Sequence, residues 1–378
     1  MIAEGRAGSL LVILMIAAIW IFFQVMNANF LSAANLTNLM LQNVAVATIS
    51  IGVVLILLLG EIDLSVGSIS GLCASVMAVL IVKDNVSPVL AVLAALATGA
   101  AIGLFTGFMV TRFRIPSFVI TLAGLLTWLG LQLYVLGETG TINLTNNFVT
   151  RLTSTFFSPL IGWIVAVLAI VFMCGLAFLG RVRRRRAGLP AGPMRAQAIR
   201  IVLIGAVIVA ATVILNKDRG LPLAVVIVVG LALAFVYLTE QTRFGRHVFA
   251  VGGNAEAARR AGIRIDRVRI IVFVLASALA AGGGILAASR LLAVNQSSGG
   301  SDLLLMAIAG PVIAGTSLFG GRGSVWSALL GALVIGSIAN GMNLLALSAS
   351  VKFMVTGGVL MLAVTLEAAT RLRRQTVD

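Results

Sequence analysis

Few side chains in this 378-residue chain are of a type that does chemistry. His247 is the only histidine, so neither a His-based triad nor an HExxH zinc helix can be assembled. The lysines are Lys83, Lys217 and Lys352, in VKD, NKD and VKF contexts. None stands in the GK[ST] setting that cradles nucleotide phosphates. Cys73 and Cys174 both lie in apolar runs, with no CxxC or Cys/His spacing for a metal. Nearly all acids fall at the ends of apolar runs or in loops, so a buried proton or sodium relay is not indicated. Asp63 is the best-placed intramembrane charge, and its spacing favours holding a Gly-rich turn over carrying an ion. No catalytic residue, metal site or bound cofactor is expected in this chain.

What the apolar runs do contain is neutral hydrogen-bonding groups. Asn43, Trp128, Gln132, Asn340 and Asn343 form the candidate solute path. Trp128 and Gln132 share a helical face at i, i+4. Amides beside an aromatic face suit an uncharged, hydroxyl-rich solute, and the same groups serve equally as interhelical hydrogen bonds. Two Gly-rich stretches interrupt the apolar pattern: GEIDLSVGSISG, with Gly60, Asp63, Ser65 and Gly67, and GTSLFGGRGS, with Gly315, Gly320 and Gly321. Such interruptions in two halves of a chain mark either broken helices beside a transport path or tight turns. Their shared texture hints at a pseudo-repeat.

The third stretch is Thr242 to Arg269, polar and basic between long apolar runs. Asn254 suits an N-cap and Glu256 suits the positive end of a helix dipole. Ala257 and Ala258 favour helix, and Gly262 suits the C′ position. A helix of about two turns is too short to stand alone in water, so it must pack on something. Residues Asn254, Glu256, Ala257, Ala258, Arg259 and Gly262 read either as part of an ordinary basic loop or as a docking helix for a partner.

The elements that hold these residues follow from composition. Hydrophobic residues make up 60% and charged residues 10%, against about 25% charged in soluble domains. The chain reads as an all-α, polytopic transmembrane helical bundle, one domain over 1–378. Apolar runs predict spans near 8–25, 41–59, 66–82, 89–111, 117–136, 160–179, 198–215, 221–239, 269–290, 303–319, 324–347 and 351–366. That is about 12 spans, or 10 without the separable pair at 160–215. With both termini cytoplasmic, 21 of the 27 Lys and Arg residues fall inside. The net charge of +15 thus needs no nucleic acid to explain it. The cytoplasmic segments include a basic linker at 181–197, broken by Gly and Pro, and the loop 242–269.

Several blocks together resemble one family. EAARRAG, Glu256 to Gly262, resembles the EAA-type motif of ABC-importer permeases, and the surrounding TRFGRHVFAVGGNAEAARRAGI resembles the ribose, xylose and arabinose branch. GEIDLSVGSISGL, IPSFVITLAGL, GTSLFGGRGS and GALVIGSIANGMNLL do so as well. The basic insert and the length are most similar to xylose-type permeases. After Gly262 the sequence departs from the best-known EAA pattern with Arg264, Arg267 and Arg269.

The resemblance implies a type II-like importer permease in a bacterial inner membrane, acting as a homodimer. It implies a cytoplasmic ABC ATPase partner that holds ATP and Mg, and a periplasmic sugar-binding protein that delivers a monosaccharide such as D-xylose. The short helix then becomes a coupling helix. A passive channel or secondary carrier for a small neutral solute is the alternative from residues alone.

Overall fold

The computed structural model describes residues 2–138, 140–145, 147–188 and 193–375. In chain order the first half contains α1 (Ile2–Met26), α2 (Ala33–Leu58), α3 (Val66–Val82), α4 (Pro88–Phe113), α5 (Ser117–Leu136), β1 (Thr141–Asn143), α6 (Phe148–Ser154), β2 (Phe156–Phe157) and α7 (Pro159–Arg186). Then come α8 (Met194–Lys217), β3 (Leu221–Pro222), α9 (Leu223–Gln241), α10 (Arg243–Gly253), α11 (Ala255–Arg260), α12 (Ile265–Leu291), β4 (Ala293–Asn295), α13 (Ser301–Ile313), α14 (Trp326–Leu344) and α15 (Ala349–Gln375).

The twelve expected apolar runs each correspond to one helix, with two kinds of correction. Among the described residues, eight helices are long and apolar enough to cross a membrane: α2, α4, α5, α7, α8, α9, α12 and α14. The apolar parts of α1, α3, α13 and α15 are shorter. Of these, α13 replaces the expected span 303–319. It ends at Ile313 because Pro311 sits in its last turn and Gly315 turns the chain at φ +94°. The expected linker 181–197 is also largely helical: α7 runs on through Arg186 and α8 starts at Met194. Its residues 189–192 lie outside the described part.

Helix α2 is the centre of the bundle. It is apolar all round and buried along nearly its whole length, as a helix enclosed by other helices must be. Ser32 caps it, its Oγ accepting from the Asn35 amide at 3.3 Å. Small residues let its neighbours approach. A Cβ on Gly52 would lie 2.9 Å from the Ala276 carbonyl oxygen on α12.

Helix α4 carries a ridge of small residues at strict i+4 spacing: Ala91, Ala95, Gly99, Gly103 and Gly107. This ridge seats α4 on α12. Cβ atoms at Gly99 and Gly103 would lie 2.7 Å from the Ser277 carbonyl oxygen and from Val274 Cα. The i±4 rows of two such helices interlock without large side chains between them. Gly103→Val is therefore expected to destabilise the bundle by about 1–3 kcal/mol, seen as a lower thermal midpoint of the purified protein. Gly175→Val, where a Cβ meets nothing within 4 Å, should leave the midpoint unchanged.

The chain reverses inside the bundle twice. After α2 the segment 59–65 turns back in non-helical form along α5. The Ile62 amide donates to Ser117 Oγ at 3.2 Å, Thr121 Oγ1 donates to the Ile62 carbonyl at 3.3 Å, and Ser65 lies against Gly124. From Ser117 to Gly124 is about 10 Å of helix rise, so α3 starts about a third of the way along α5.

The second reversal runs the opposite way. After α12, the segment 292–300 pairs β4 with β1, then descends beside α3 to start α13 next to Gly67. The units α2–α3–α4 and α12–α13–α14 are thus arranged with inverted direction, each with one part-length helix. Non-helical backbone at this depth is tolerated only where protein encloses it.

Candidate functional site

One end of the bundle carries α10, α11, Arg112, Arg114 and Arg322, and is called the basic end here. Its construction begins with Thr242, whose Oγ1 accepts from the Gly245 amide at 3.2 Å to start α10. Val248 and Val251 on α10 are buried against α2 and α12, while Arg243, Arg246 and His247 are exposed. Sequence reasoning missed this helix, because its three basic side chains hid an apolar face at i, i+3.

Asn254 both ends α10 and caps α11. Its Oδ1 accepts from the Ala257 amide at 2.9 Å. Six-residue α11 then stops at Gly262, φ +82°. The Gly262 amide donates to the Arg259 carbonyl at 2.9 Å and the Ile263 amide to the Ala258 carbonyl at 3.1 Å. Those two bonds are a Schellman motif. Ala258 is the buried residue of α11. Glu256, Ala257, Arg259 and Gly262 face outward. Glu256 meets Arg259 and Arg260 at 3.5 and 3.4 Å, exposed pairs that contribute little.

The base of this unit is where the two Gly-rich stretches come together. Gly60 (φ +74°), Gly320 (φ +85°) and Gly321 (φ +71°) turn the chain sharply. The Gly321 amide donates to the Leu58 carbonyl at 2.9 Å, at the end of α2. Gly252, at the end of α10, lies directly against that carbonyl. A Cβ on Gly320 would lie 2.7 Å from the Gly252 carbonyl oxygen and 2.8 Å from the Gly60 nitrogen. Three segments therefore meet backbone to backbone: the end of α2, the end of α10 and the 319–321 turn. Gly315 is not at this junction and has open space around it.

An ion pair ties the same region together: Arg269 on α12 lies 2.9 Å from Glu61, and both are partly buried. Sequence analysis did not single out this pair. The residues are 208 positions apart, and no local spacing joins them.

The Asp63 side chain holds the start of α3. Its Oδ1 accepts from the Ser65 amide at 2.8 Å and from Ser65 Oγ at 2.6 Å. Asp63 also lines a small space with Val53, Ile56, Leu57, Ile62, Ile308 and Leu318, and its other oxygen is buried with no hydrogen-bond partner among the described residues. Gly67 packs on the second return segment, where a Cβ would lie 2.8 Å from the Gly299 carbonyl oxygen.

The pseudo-repeat read from texture is thereby corrected. The 60–71 and 315–324 stretches pack on each other at the basic end, whereas the structural counterpart of 59–65 is 292–300.

The candidate solute-path residues do not form one lining. Asn340 sits between α14 and α2, its Oδ1 accepting from Asn35 Nδ2 at 2.8 Å and its Nδ2 donating to Gln42 Oε1 at 3.3 Å. Asn43 packs on Gly336 of the same helix pair. Asn343 is exposed at the end of α14. Gln132 and Trp128 do share a face of α5. Trp128 meets Phe105 edge to face at 6.3 Å. Gln132 is fully buried, and its Nε2 donates to the Asn295 and Ser298 carbonyls at 3.1 and 2.9 Å. It pins the second return segment, a role no spacing in the sequence reveals.

The comparisons with known proteins agree with this architecture. A family model described as "Branched-chain amino acid transport system / permease component" matches residues 35–364. The chain is 34% identical over 359 residues to the "Xylose transport system permease protein XylH" of Escherichia coli K12, covering 95% of this chain and 91% of that protein. It is 33% identical to the protein of the same name from Haemophilus influenzae, with 96% of each covered. It is 32% identical to the "Ribose import permease protein RbsC" of Escherichia coli K12, with 95% and 92% covered. No solved structure matches. With its many apolar helices, the chain is a multi-pass protein of the bacterial inner membrane. It belongs to the branched-chain amino acid transport system / permease component family, and within it resembles the monosaccharide ABC permeases, the xylose type above all.

Proposed function

We propose that this chain is the membrane subunit of an ATP-driven importer for a monosaccharide, D-xylose or a similar pentose. In this reading two copies form the translocation path, a separate cytoplasmic ATPase holds ATP and Mg, and a periplasmic sugar-binding protein supplies the sugar. The basic end faces the cytoplasm, in keeping with the positive-inside rule. The observation that carries the reading is the α10–α11 unit. It presents an exposed, rigidly capped helix outward and rests its base on the backbone of α2 and the 319–321 turn.

The mechanism follows from that placement. The ATPases close on ATP and push on α11 through Asn254, Glu256, Ala257, Arg259 and Gly262. Because Asn254 is shared by both helices, α10 moves with α11. The displacement reaches Leu58, the last residue of α2, and Gly321 within the 315–324 segment. From there it passes to the first return segment, 59–65, and to α12 through the Glu61–Arg269 pair. The path then switches from outward-facing to inward-facing. Sugar selection rests mainly on the binding protein, with the neutral amides of the bundle as secondary contacts.

Gly262 supplies a clean test. Its surroundings are open, so a substitution there acts through the backbone. Proline cannot adopt φ +82° and lacks the amide that donates to Arg259, whereas asparagine tolerates the left-handed region. Gly262→Pro is expected to reduce pentose uptake at least about tenfold, the equivalent of about 1.4 kcal/mol, with the ATPase still turning over in the assembled complex. Gly262→Asn should keep uptake within about twofold of the parent, less than 0.5 kcal/mol. Normal uptake in the proline variant would overturn the coupling role. The assay is labelled xylose and ribose uptake in cells lacking their own permease.

A further inference from the structure

A cleft of about 810 Å³ opens at the basic end between the α4–α5 turn, the start of α12 and α11. Its charged lining is Arg112, Arg114, Arg259 and Arg269 against Glu61 and Asp266. Arg269 is taken up by Glu61, and Arg259 is shared with Glu256. Among the described residues, Arg112 and Arg114 form no ion pair, and both are exposed. The floor of the cleft is apolar, with Val110, Ile115 and Ile270.

The outer margin of the cleft is apolar in a directed way. Leu90, Leu93, Ala97, Ala101, Leu104 and Phe108 form one exposed stripe along α4, and Arg112 stands at its basic end. Phe113 and Phe118 flank the turn and are more than half exposed. An acyl chain laid along this stripe would place its headgroup at Arg112 and Arg114. A basic head above an apolar track is complementary to an amphiphilic anion, and to neither a free anion nor a hydrophilic protein surface.

We propose that this cleft binds an anionic phospholipid of the leaflet at the basic end, with the phosphate held by Arg112 and Arg114 and an acyl chain along α4. Arg112 and Arg114 stand at the end of the apolar span α4, and basic clusters between helices at the cytoplasmic surface attract anionic headgroups. Arginine suits the task, since its fork meets two phosphate oxygens at once. The site is independent of which sugar the protein carries, so its failure and the failure of the transport reading are separable.

The test uses the full purified chain. Phosphatidylglycerol and phosphatidylethanolamine retention is followed by native mass spectrometry, with thermal unfolding as a check of folding. The parent should retain phosphatidylglycerol in preference. Arg112→Gln with Arg114→Gln should weaken that retention roughly 30-fold, and lysine at both positions should largely restore it. Arg184→Gln with Arg185→Gln, an equal loss of charge on α7, should leave it unchanged. Equal retention in the glutamine and parent proteins would overturn the proposal, as would equal loss in the α7 control. Inorganic phosphate binding as tightly as the lipid would reassign the cleft to a free anion. Unchanged lipid retention with loss of the co-purifying ATPase would reassign it to that protein.

Discussion

Replacing Gly252 by valine is expected to abolish coupled uptake while leaving the bundle assembled. The added side chain would enter the Leu58 carbonyl oxygen and approach the Gly321 nitrogen to 2.8 Å. Both are backbone atoms that cannot rotate away. The bond from the Gly321 amide to the Leu58 carbonyl must break or lengthen, at about 1 kcal/mol, and the overpacked junction adds about 1–3 kcal/mol. This strain falls on the joint between the capped helix and the transmembrane body. Uptake should fall more than tenfold, a change of about 1.4 kcal/mol or more, and the ATPase should still co-purify, since the outward face of α11 is untouched. The neighbouring Gly253→Val is the control, because a Cβ there meets nothing within 4 Å. Comparable uptake by the two variants would sink the idea that Gly252 is a mechanical contact.

The second large effect is expected at Gln132. Its amide is fully buried and donates to two carbonyls of the second return segment, Asn295 and Ser298. Leucine has a similar volume and donates nothing, so the Ser298 carbonyl would lose its partner, while the Asn295 carbonyl would keep only the Ser298 amide, which donates to it at 3.0 Å. The orphaned Ser298 carbonyl costs about 1–3 kcal/mol and the lost bond to Asn295 about 1 kcal/mol, so Gln132→Leu should destabilise the protein by about 2–4 kcal/mol. Gln132→Glu keeps the shape but exchanges the donor for an acceptor facing two acceptors, and should be as damaging. Thermal unfolding in detergent reads the stability. Hydrogen exchange should localise the change to 292–300 rather than to the basic end. Exchange increased evenly along the chain would show that Gln132 packs rather than pins.

The parts of the structure written in local pattern were legible from the sequence. Twelve apolar runs gave twelve helices, and the N-cap at Asn254 and stop at Gly262 fell where side-chain chemistry put them. What stayed hidden depends on partners far along the chain. The return segments 59–65 and 292–300 contain enough apolar residues to blur into neighbouring runs. Their non-helical course is set by Ser117, Thr121 and Gln132 on another helix. Helix α10 was masked because a basic loop and a basic amphipathic helix have the same composition. The Gly-rich resemblance between 60–71 and 315–324 pointed to equivalence, yet the two are partners in one junction. Their glycines are alike because each side of a backbone-to-backbone contact must lack a Cβ. The amides proposed for a solute path were chosen by type alone, and Gln132 and Asn340 turned out to have intramolecular partners.

The contact of the second return segment with the start of α3, at Gly67, Gly71 and Gly299, has a dynamic implication. A Cβ on Gly299 would meet the backbone of Gly71 at 2.6 Å, so no side chain separates the segment from the helix there. Ordinary interfaces adapt to small shifts by rotamer hops and by the give of long side chains. This one is backbone on backbone, with the one long side chain beside it, Gln132, held by hydrogen bonds, and it is either seated or parted. Motion through it should therefore be stepwise, with two well-separated populations and a barrier between them, rather than a continuum of intermediate openings. For a passage between two compartments, that means few molecules are ever caught half open.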